Sequence, residues 1–330
     1  MRNRGGFSHM KNVVDVKELT KRFGELVAVD HINFEVRKSE FFGFLGPNGA
    51  GKTTTIRILT GLSKPTEGRA SVLGLDINSR IVEAKRHIGV VPEISNLYDE
   101  FSAIDNLLFM AQLYGVPRTQ RRKRAEGLLK TFGLYERKNN LFRTFSRGMK
   151  RALTIAAALI HNPEILFLDE PTVGLDVVAA RSLRNLIGNL HQQGIAIFLT
   201  THYLEEADLL CDRVAILVKG RIIKIDTPKA LKAAAEEESV IEFSFGREGS
   251  ELMEDLSNKL PEVKIATVDH NKLRIYGGAP TEVYDSVFSF AKGKGIKIQS
   301  INSIKPTLED AFIKITGLSP IVMAIEKGGK

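Results

Sequence analysis

Gly46-Pro47-Asn48-Gly49-Ala50-Gly51-Lys52-Thr53 sets glycines, a lysine and a hydroxyl at the spacing G-x-x-x-x-G-K-[ST]. Glycines let consecutive backbone N–H groups curl around a phosphate. Lys52 can reach the β and γ phosphates of a nucleotide, and the Thr53 hydroxyl can ligate Mg²⁺. Further along, the apolar run Ile165-Leu166-Phe167-Leu168 ends in Asp169 and Glu170. Such a strand can deliver the Asp169 carboxylate beside the phosphate loop, where it would hold a Mg²⁺ hydration shell. Glu170 points the other way on an extended chain and could polarise a water attacking a γ-phosphate. Between these two stretches, Ser146-Arg147-Gly148 opens an apolar helical run over 152–160. Ser146 suits an N-cap and Gly148 keeps the first turn free of bulk, so a phosphate from outside could approach this positive helix end.

These groups need a scaffold. Phe41–Leu45 suits a buried parallel strand and 54–61 has helical spacing, so the glycine loop falls where an anion meets a helix N-terminus. Residues 164–168 and 195–200 predict two more buried parallel strands, with a crossover helix over Val177–Gln192 between them. Residues 12–18 and 31–36 alternate like edge strands of a small antiparallel sheet; short strands follow at 70–73 and at Ile88–Val91, the latter ending at Pro92-Glu93. The stretch 104–160 is largely helical, and Arg213–Val218 and 221–225 read as a hairpin split by Lys219-Gly220. Composition changes after Lys229. The remainder predicts strand Val240–Phe245, helix 250–259, strands 263–268 and 273–276, helix 281–292 and strand 297–304, the βαββαβ order of a ferredoxin-like domain, then a helix over 308–315. This second part holds no catalytic constellation and is expected to support dimerisation or regulation.

At 330 residues, 43% apolar and 26% charged, the chain has the composition of a globular protein with two cores. No apolar run approaches the roughly 18 residues that a membrane-spanning helix needs. Residues 1–10 are polar and basic, unlike a signal peptide, and the single Cys211 excludes a disulfide framework and suits a reducing cytoplasm. The net charge of +8 is uneven: 117–151 holds twelve basic residues against Glu126 and Glu136. Such a segment attracts phosphates of nucleic acid or lipid headgroups, or is simply a solvated helix face.

The ordered motifs GPNGAGKTT, Pro92-Glu93, FSRGMKRAL, ILFLDEPTVGLD and LTTHYLEEAD resemble the nucleotide-binding subunit of ATP-binding cassette (ABC) transporters, over about residues 12–235. The GMKR form of the signature, with PTLEDAFIKITG at 306–317, is similar to the drug and antibiotic exporter branch of daunorubicin-resistance type. The resemblance implies an α/β P-loop NTPase fold of ABC-ATPase type, with an antiparallel β subdomain and a helical subdomain at about 94–160. The implied organisation is an extension 1–11, a nucleotide-binding domain 12–235, an α+β ferredoxin-like accessory domain 239–317 and a tail 318–330.

It also implies roles. Phe23 would stack on adenine, the lesser alternative being an ordinary hairpin aromatic. Gly46, Pro47, Asn48, Gly49, Ala50, Gly51, Lys52, Thr53 and Thr54 would wrap the phosphates of ATP. Thr53, Asp169 and Glu93 would serve Mg²⁺, Glu93 from the position that also meets the membrane partner. Glu170 would be the general base, His202 would hold the γ-phosphate, and Lys52 would assist both binding and catalysis. Ser146 and Gly148 would complete the ATP site of an opposite subunit, and Asp176 would belong to a loop in the dimer contact. The implied partners are a second copy or a similar ATPase subunit, closing head-to-tail, and a separate polytopic permease holding the protein at the inner face of the cell membrane.

Two positions depart from the family pattern. Glu93 stands where glutamine is usual and adds negative charge near Mg²⁺. Arg147 replaces the first signature glycine and either points outward or makes a charge-assisted contact with nucleotide. A soluble ABC ATPase acting on nucleic acid or ribosomes is the main rival. Such proteins usually carry two cassettes or long coiled coils, which this chain lacks, so nucleic acid is not an expected partner. A P-loop kinase leaves FSRGMKRAL and His202 unexplained.

Overall fold

The computed structural model describes residues 11–236, 240–246, 249–304 and 306–318. Residues 1–10 of the expected extension 1–11 and residues 319–330 of the expected tail 318–330 lie outside the described residues. Contacts divide the chain into two compact units, up to Ile225 and from Asp226 onward.

In the first unit, β1 (Asn12–Phe23) and β2 (Leu26–Arg37) form a long antiparallel pair that runs from Asn12↔Arg37 to Phe23↔Leu26. Both are longer than their alternation predicts, because bulges at several points shift the period without ending the pairing. β4 (Glu67–Val72) pairs on the other side of β1 and is followed by β5 (Leu75–Asp76), giving the order β2-β1-β4-β5. β1 is therefore an interior strand rather than an edge.

The second sheet has the order β10-β9-β3-β8-β7-β6, from β3 (Phe41–Leu45), β6 (Ile88–Val91), β7 (Ile165–Asp169), β8 (Ala196–Thr201), β9 (Arg213–Val218) and β10 (Arg221–Asp226). Every residue of β3, β7 and β8 is buried, as strands covered on both faces require. β3 pairs parallel with β8 and β9, and β7 pairs parallel with β6 and β8. Aromatic rings join the sheets: Phe34 of β2 stacks on Phe42 with centroids 5.7 Å apart. Phe198 lies 5.4 Å from Phe44 and 5.5 Å from Phe167. Contacts in this range add to the burial of large apolar surface.

Helices α1 (Lys52–Leu59) and the short α2 (Ile81–Ala84) follow the glycine loop and β5. The 104–160 stretch resolves into α3 (Ala103–Leu113), α4 (Arg118–Thr131) and α5 (Arg147–Leu159), linked by two single 3-10 turns. Ser102 caps α3 by accepting the Asp105 N–H. The basic segment is not one free surface. Arg151 is buried, Arg121 and Arg124 donate to the carbonyls of Val116 and Ile160, and Arg122 and Lys150 pair with Glu126 and Asp99. α6 (Val177–Gln192) is the crossover between β7 and β8, and α7 (Leu204–Leu210) leads to β9.

In the second unit, α8 (Pro228–Glu236) precedes β11 (Val240–Phe245), α9 (Gly249–Lys259), β12 (Lys264–Asp269), β13 (Lys272–Tyr276), α10 (Pro280–Lys294), β14 (Ile298–Ile304) and α11 (Leu308–Thr316). The strand order β12-β13-β11-β14 is that of the ferredoxin-like fold. Ile241, Phe243 and Phe245 pack with residues of α9 and α10 on one face of the sheet. On the other, Val240 and Tyr276 cluster with Ile313 of α11. Asp310 fastens that helix: it completes a capping box with Thr307 and accepts bonds from Arg274 Nη1 (2.9 Å) and Tyr276 Oη (2.8 Å). α8 packs against α11 within the same unit.

Candidate active site

The order β6-β7-β8-β3 brings the ends of four parallel strands to one edge of the sheet, where open α/β sheets bind ligands. The register sets Leu45 beside Thr201, Thr200 beside Asp169, and Leu168 beside Val91. The residues after these positions are the glycine loop, His202, Glu170 and Pro92-Glu93, which explains how motifs far apart in sequence share one edge.

The glycine loop can take its course only without side chains at two places. A Cβ on Gly46 would lie 2.2 Å from the Leu217 carbonyl oxygen, and one on Gly51, at φ +105°, 2.3 Å from that of Ala28. The loop delivers Lys52 and Thr53 into the first turn of α1. Lys52 is buried, and its Nζ donates to the carbonyls of Gly46 (2.7 Å) and Pro47 (3.0 Å) while pairing with Glu170 Oε1 at 3.1 Å. Thr53 Oγ1 donates to Asp169 Oδ1 at 3.1 Å. Glu170 Oε2 lies 2.8 Å from His202 Nδ1. Lys52, Asp169 and Glu170 are thus buried close together, with Thr53 and His202 half-buried as their partners.

The two acids differ. Burial pushes the Asp169 carboxyl up, and the negative charges of Glu170 and Glu93 add to this, so it stays above its ordinary value despite hydrogen bonds from Thr200 and Thr53. Burial also raises the Glu170 carboxyl, but the His202 bond and the Lys52 charge outweigh it and hold Glu170 below its ordinary value. Glu170 therefore remains an anion with its proton-accepting oxygens held between two cationic or hydrogen-bonding partners. Its backbone has φ +46°, a left-handed conformation unusual for a residue with a side chain.

Other expected site residues stand apart. Ser146 caps α5, accepting the Met149 N–H at 3.3 Å, and Asp176 caps α6, accepting the Ala179 N–H at 2.8 Å. A Cβ on Gly148 would come 3.1 Å from Ala179 Cβ, so the glycine eases the approach of the two helix starts. Among the described residues no hydrogen bond or ion pair links Ser146, Gly148 or Asp176 to the Lys52 cluster. Phe23 ends β1 and is 52% exposed, with Lys21 Nζ 4.9 Å from its ring.

The family description "ABC transporter" matches residues 29–173. The linearmycin resistance ATP-binding protein LnrL of Bacillus subtilis is 34% identical over 307 residues, covering 92% of this chain and 98% of that protein. The Nod factor export ATP-binding protein I of Mesorhizobium japonicum is 37% identical over 304 residues, covering 92% and 86%. Among solved structures, a dimeric ATP-binding cassette in a post-hydrolysis state, bound to ADP and Pi, aligns with a TM-score of 0.60 and 28% identity over 65% of this chain and 98% of that one. The chain belongs to the ABC transporter ATP-binding proteins. It is an ATP-binding subunit and an ATPase.

In this ABC ATPase both departures have structural consequences. Arg147 reaches the Gly174 carbonyl at 3.4 Å, in the loop before α6, an arrangement neither expectation for it included. Glu93 is fixed through its backbone: Arg151 donates to Pro92 O and Glu93 O, both at 2.6 Å. Burial lowers the Arg151 guanidinium, with the charges of Glu93 and Asp169 acting in the opposite direction. Counting Arg151 with a surface patch missed this clamp. Its signal was positional, since Arg151, Ile155 and Ala158 share the helix face that turns inward. Among the described residues no helix is long and apolar enough to cross a membrane.

Proposed function

We propose that this ABC ATPase is the motor of an exporter, working as a pair of cassettes that close head-to-tail around two ATP molecules and drive a separate permease. The observation that carries the reading is the division of the site. Lys52 and His202 pair with Glu170 and Thr53 bonds Asp169, whereas among the described residues the exposed Ser146 bonds its own helix and Arg147 the Gly174 loop. One chain thus offers the phosphate loop and the base. A second copy, or a similar subunit, supplies Ser146 and Gly148 over the γ-phosphate. ATP then stabilises the closed pair by binding it more tightly than the open one. The names of the relatives, for linearmycin resistance and Nod factor export, support export as the direction.

In the closed site Glu170 accepts the proton of a water that attacks the γ-phosphorus, His202 holds the γ-phosphate, and Lys52 offsets its charge. Phe23 is exposed where it could stack on adenine, and Asp176, at the start of α6, would meet the partner cassette. Thr53 and Asp169 offer a hydroxyl and a carboxylate to Mg²⁺, with the Glu93 charge nearby. Mg²⁺ is usually held by one or two carboxylates plus substrate phosphates rather than by a protein cage. The raised Asp169 carboxyl fits this, because a cation there offsets the charges that push it up. When bound, Mg²⁺ supplies charge neutralisation at the β and γ phosphates. Glu93→Gln should make the Mg²⁺ requirement of hydrolysis less steep; an unchanged Mg²⁺ half-saturation removes Glu93 from the metal site.

The permease would dock beside Glu93. Ile94 is 83% exposed there, and farther along the chain the exposed Tyr98 and Phe101 pack their rings with each other and with Phe109 at 5.0–5.9 Å. An exposed apolar patch next to the nucleotide site suits transmission of closure to a partner. On this reading the protein would sit at the inner face of the cell membrane, held by that partner. The test is the mass of a Glu170→Gln variant with Mg-ATP, with and without Ser146→Arg, and recovery of a polytopic membrane protein with the tagged chain. A dimer that forms only when Ser146 is intact is the expected result. A permanent monomer, or a dimer indifferent to Ser146, overturns the shared-site reading.

A further inference from the structure

Thr200 lies near the end of β8, after the apolar run Ala196-Ile197-Phe198-Leu199, and is fully buried. A buried hydroxyl needs partners, and the nearest to that of Thr200 are the two acids, with the Leu168 carbonyl farther off at 3.5 Å. Its Oγ1 donates to Asp169 Oδ1 at 2.6 Å and accepts the Glu170 N–H at 3.2 Å, and its own carbonyl accepts the same N–H at 3.1 Å. The parallel pairing Asp169↔Thr200 makes this possible, because it sets the hydroxyl beside the point where β7 ends and Glu170 turns away.

Two consequences follow. Thr53 and Thr200 both donate to Oδ1 of Asp169, and no hydrogen bond to Oδ2 is seen among the described residues, which leaves that oxygen available to a cation or its water. The N–H of Glu170 is pinned while its φ is +46°, and from that backbone its carboxylate meets both Lys52 and His202. A β-branched residue in a strand has restricted χ1, so the hydroxyl does not wander between the two tasks.

We propose that Thr200 is a positioning residue for ATP hydrolysis: one hydroxyl orients the Asp169 carboxylate and holds the Glu170 backbone in the conformation that presents its side chain. This rests on the roles proposed above for Asp169 and Glu170. Valine has nearly the same shape as threonine but no hydroxyl. Thr200→Val should lower kcat about tenfold to a hundredfold, the usual consequence of losing a hydrogen bond to a charged group. KM for ATP and ATP affinity in EDTA should stay within about twofold, because the phosphate loop is untouched. Mn²⁺ uptake by the ADP complex, followed from the EPR signal of free Mn²⁺, should weaken several-fold. Thr200→Ser, which keeps the hydroxyl, should recover most of both losses.

The experiment uses the full chain, with Asp169→Asn and Glu170→Gln as controls. Impaired controls beside a Thr200→Val variant with unaltered kcat and Mn²⁺ uptake overturn the Thr200 inference alone. So does a Thr200→Val loss that serine does not repair, since that points to packing. Controls with full turnover overturn the site reading itself. Should the valine variant not fold, Thr200→Cys takes its place with the same expectations, because a thiol is a poor donor.

Discussion

Glu170→Gln is expected to lower ATP turnover about 10²–10⁴-fold while leaving ATP binding intact or tighter. The first half follows from removing the group that accepts the water's proton. The second follows from the state of Lys52, whose Nζ is shared between Glu170 and the carbonyls of Gly46 and Pro47. An amide at position 170 cannot form the ion pair, so Lys52 is released more readily to a phosphate. The loss of a negative charge facing the γ-phosphate acts in the same direction. Steady-state phosphate release and equilibrium dialysis of ATP measure the two halves. Turnover near that of the unmodified protein eliminates Glu170 as the base.

Lys52→Ala should act on the other side of the same pair. Nucleotide affinity should fall about 10- to 100-fold, the scale of a lost charge-assisted hydrogen bond to phosphate. The variant should also unfold at a lower temperature without any ligand, because Glu170 stays buried with His202 as its one remaining side-chain partner at hydrogen-bond distance among the described residues. Removing one member of a buried pair is costly because the other charge is left uncompensated. A double-mutant cycle separates the two effects. With Glu170→Gln already in place, the thermal penalty of Lys52→Ala should largely vanish, whereas the loss of nucleotide affinity should persist. A penalty of equal size in both backgrounds means the Lys52–Glu170 contact does not bear on stability.

The two variants exploit one feature of the cluster: Lys52 Nζ is shared between Glu170 and the carbonyls of Gly46 and Pro47. Binding must therefore exchange internal partners for phosphate oxygens. That exchange links occupancy of the glycine loop to release of the proposed base.

Chain-local features were readable from residue order. Gly46 to Thr53 declares itself because a backbone that wraps a phosphate must be continuous, and its glycine requirement is written in adjacent positions. The uninterrupted apolar runs of β3, β7 and β8 predicted parallel strands for the same reason, since burial on both faces leaves no room for alternation. The Lys219-Gly220 hairpin and the βαββαβ order likewise rest on neighbouring residues. What tertiary structure alone decided are the pairings across long separations. Arg151 turns inward to hold the Pro92 and Glu93 carbonyls, and Thr200 meets Asp169 and Glu170, only because the strand order β6-β7-β8-β3 brings those chain ends to one edge. Local propensity and spacing carry no record of which strand lies beside which. That choice is made by the packing of whole sheets, and it determined which charges of this cassette face each other.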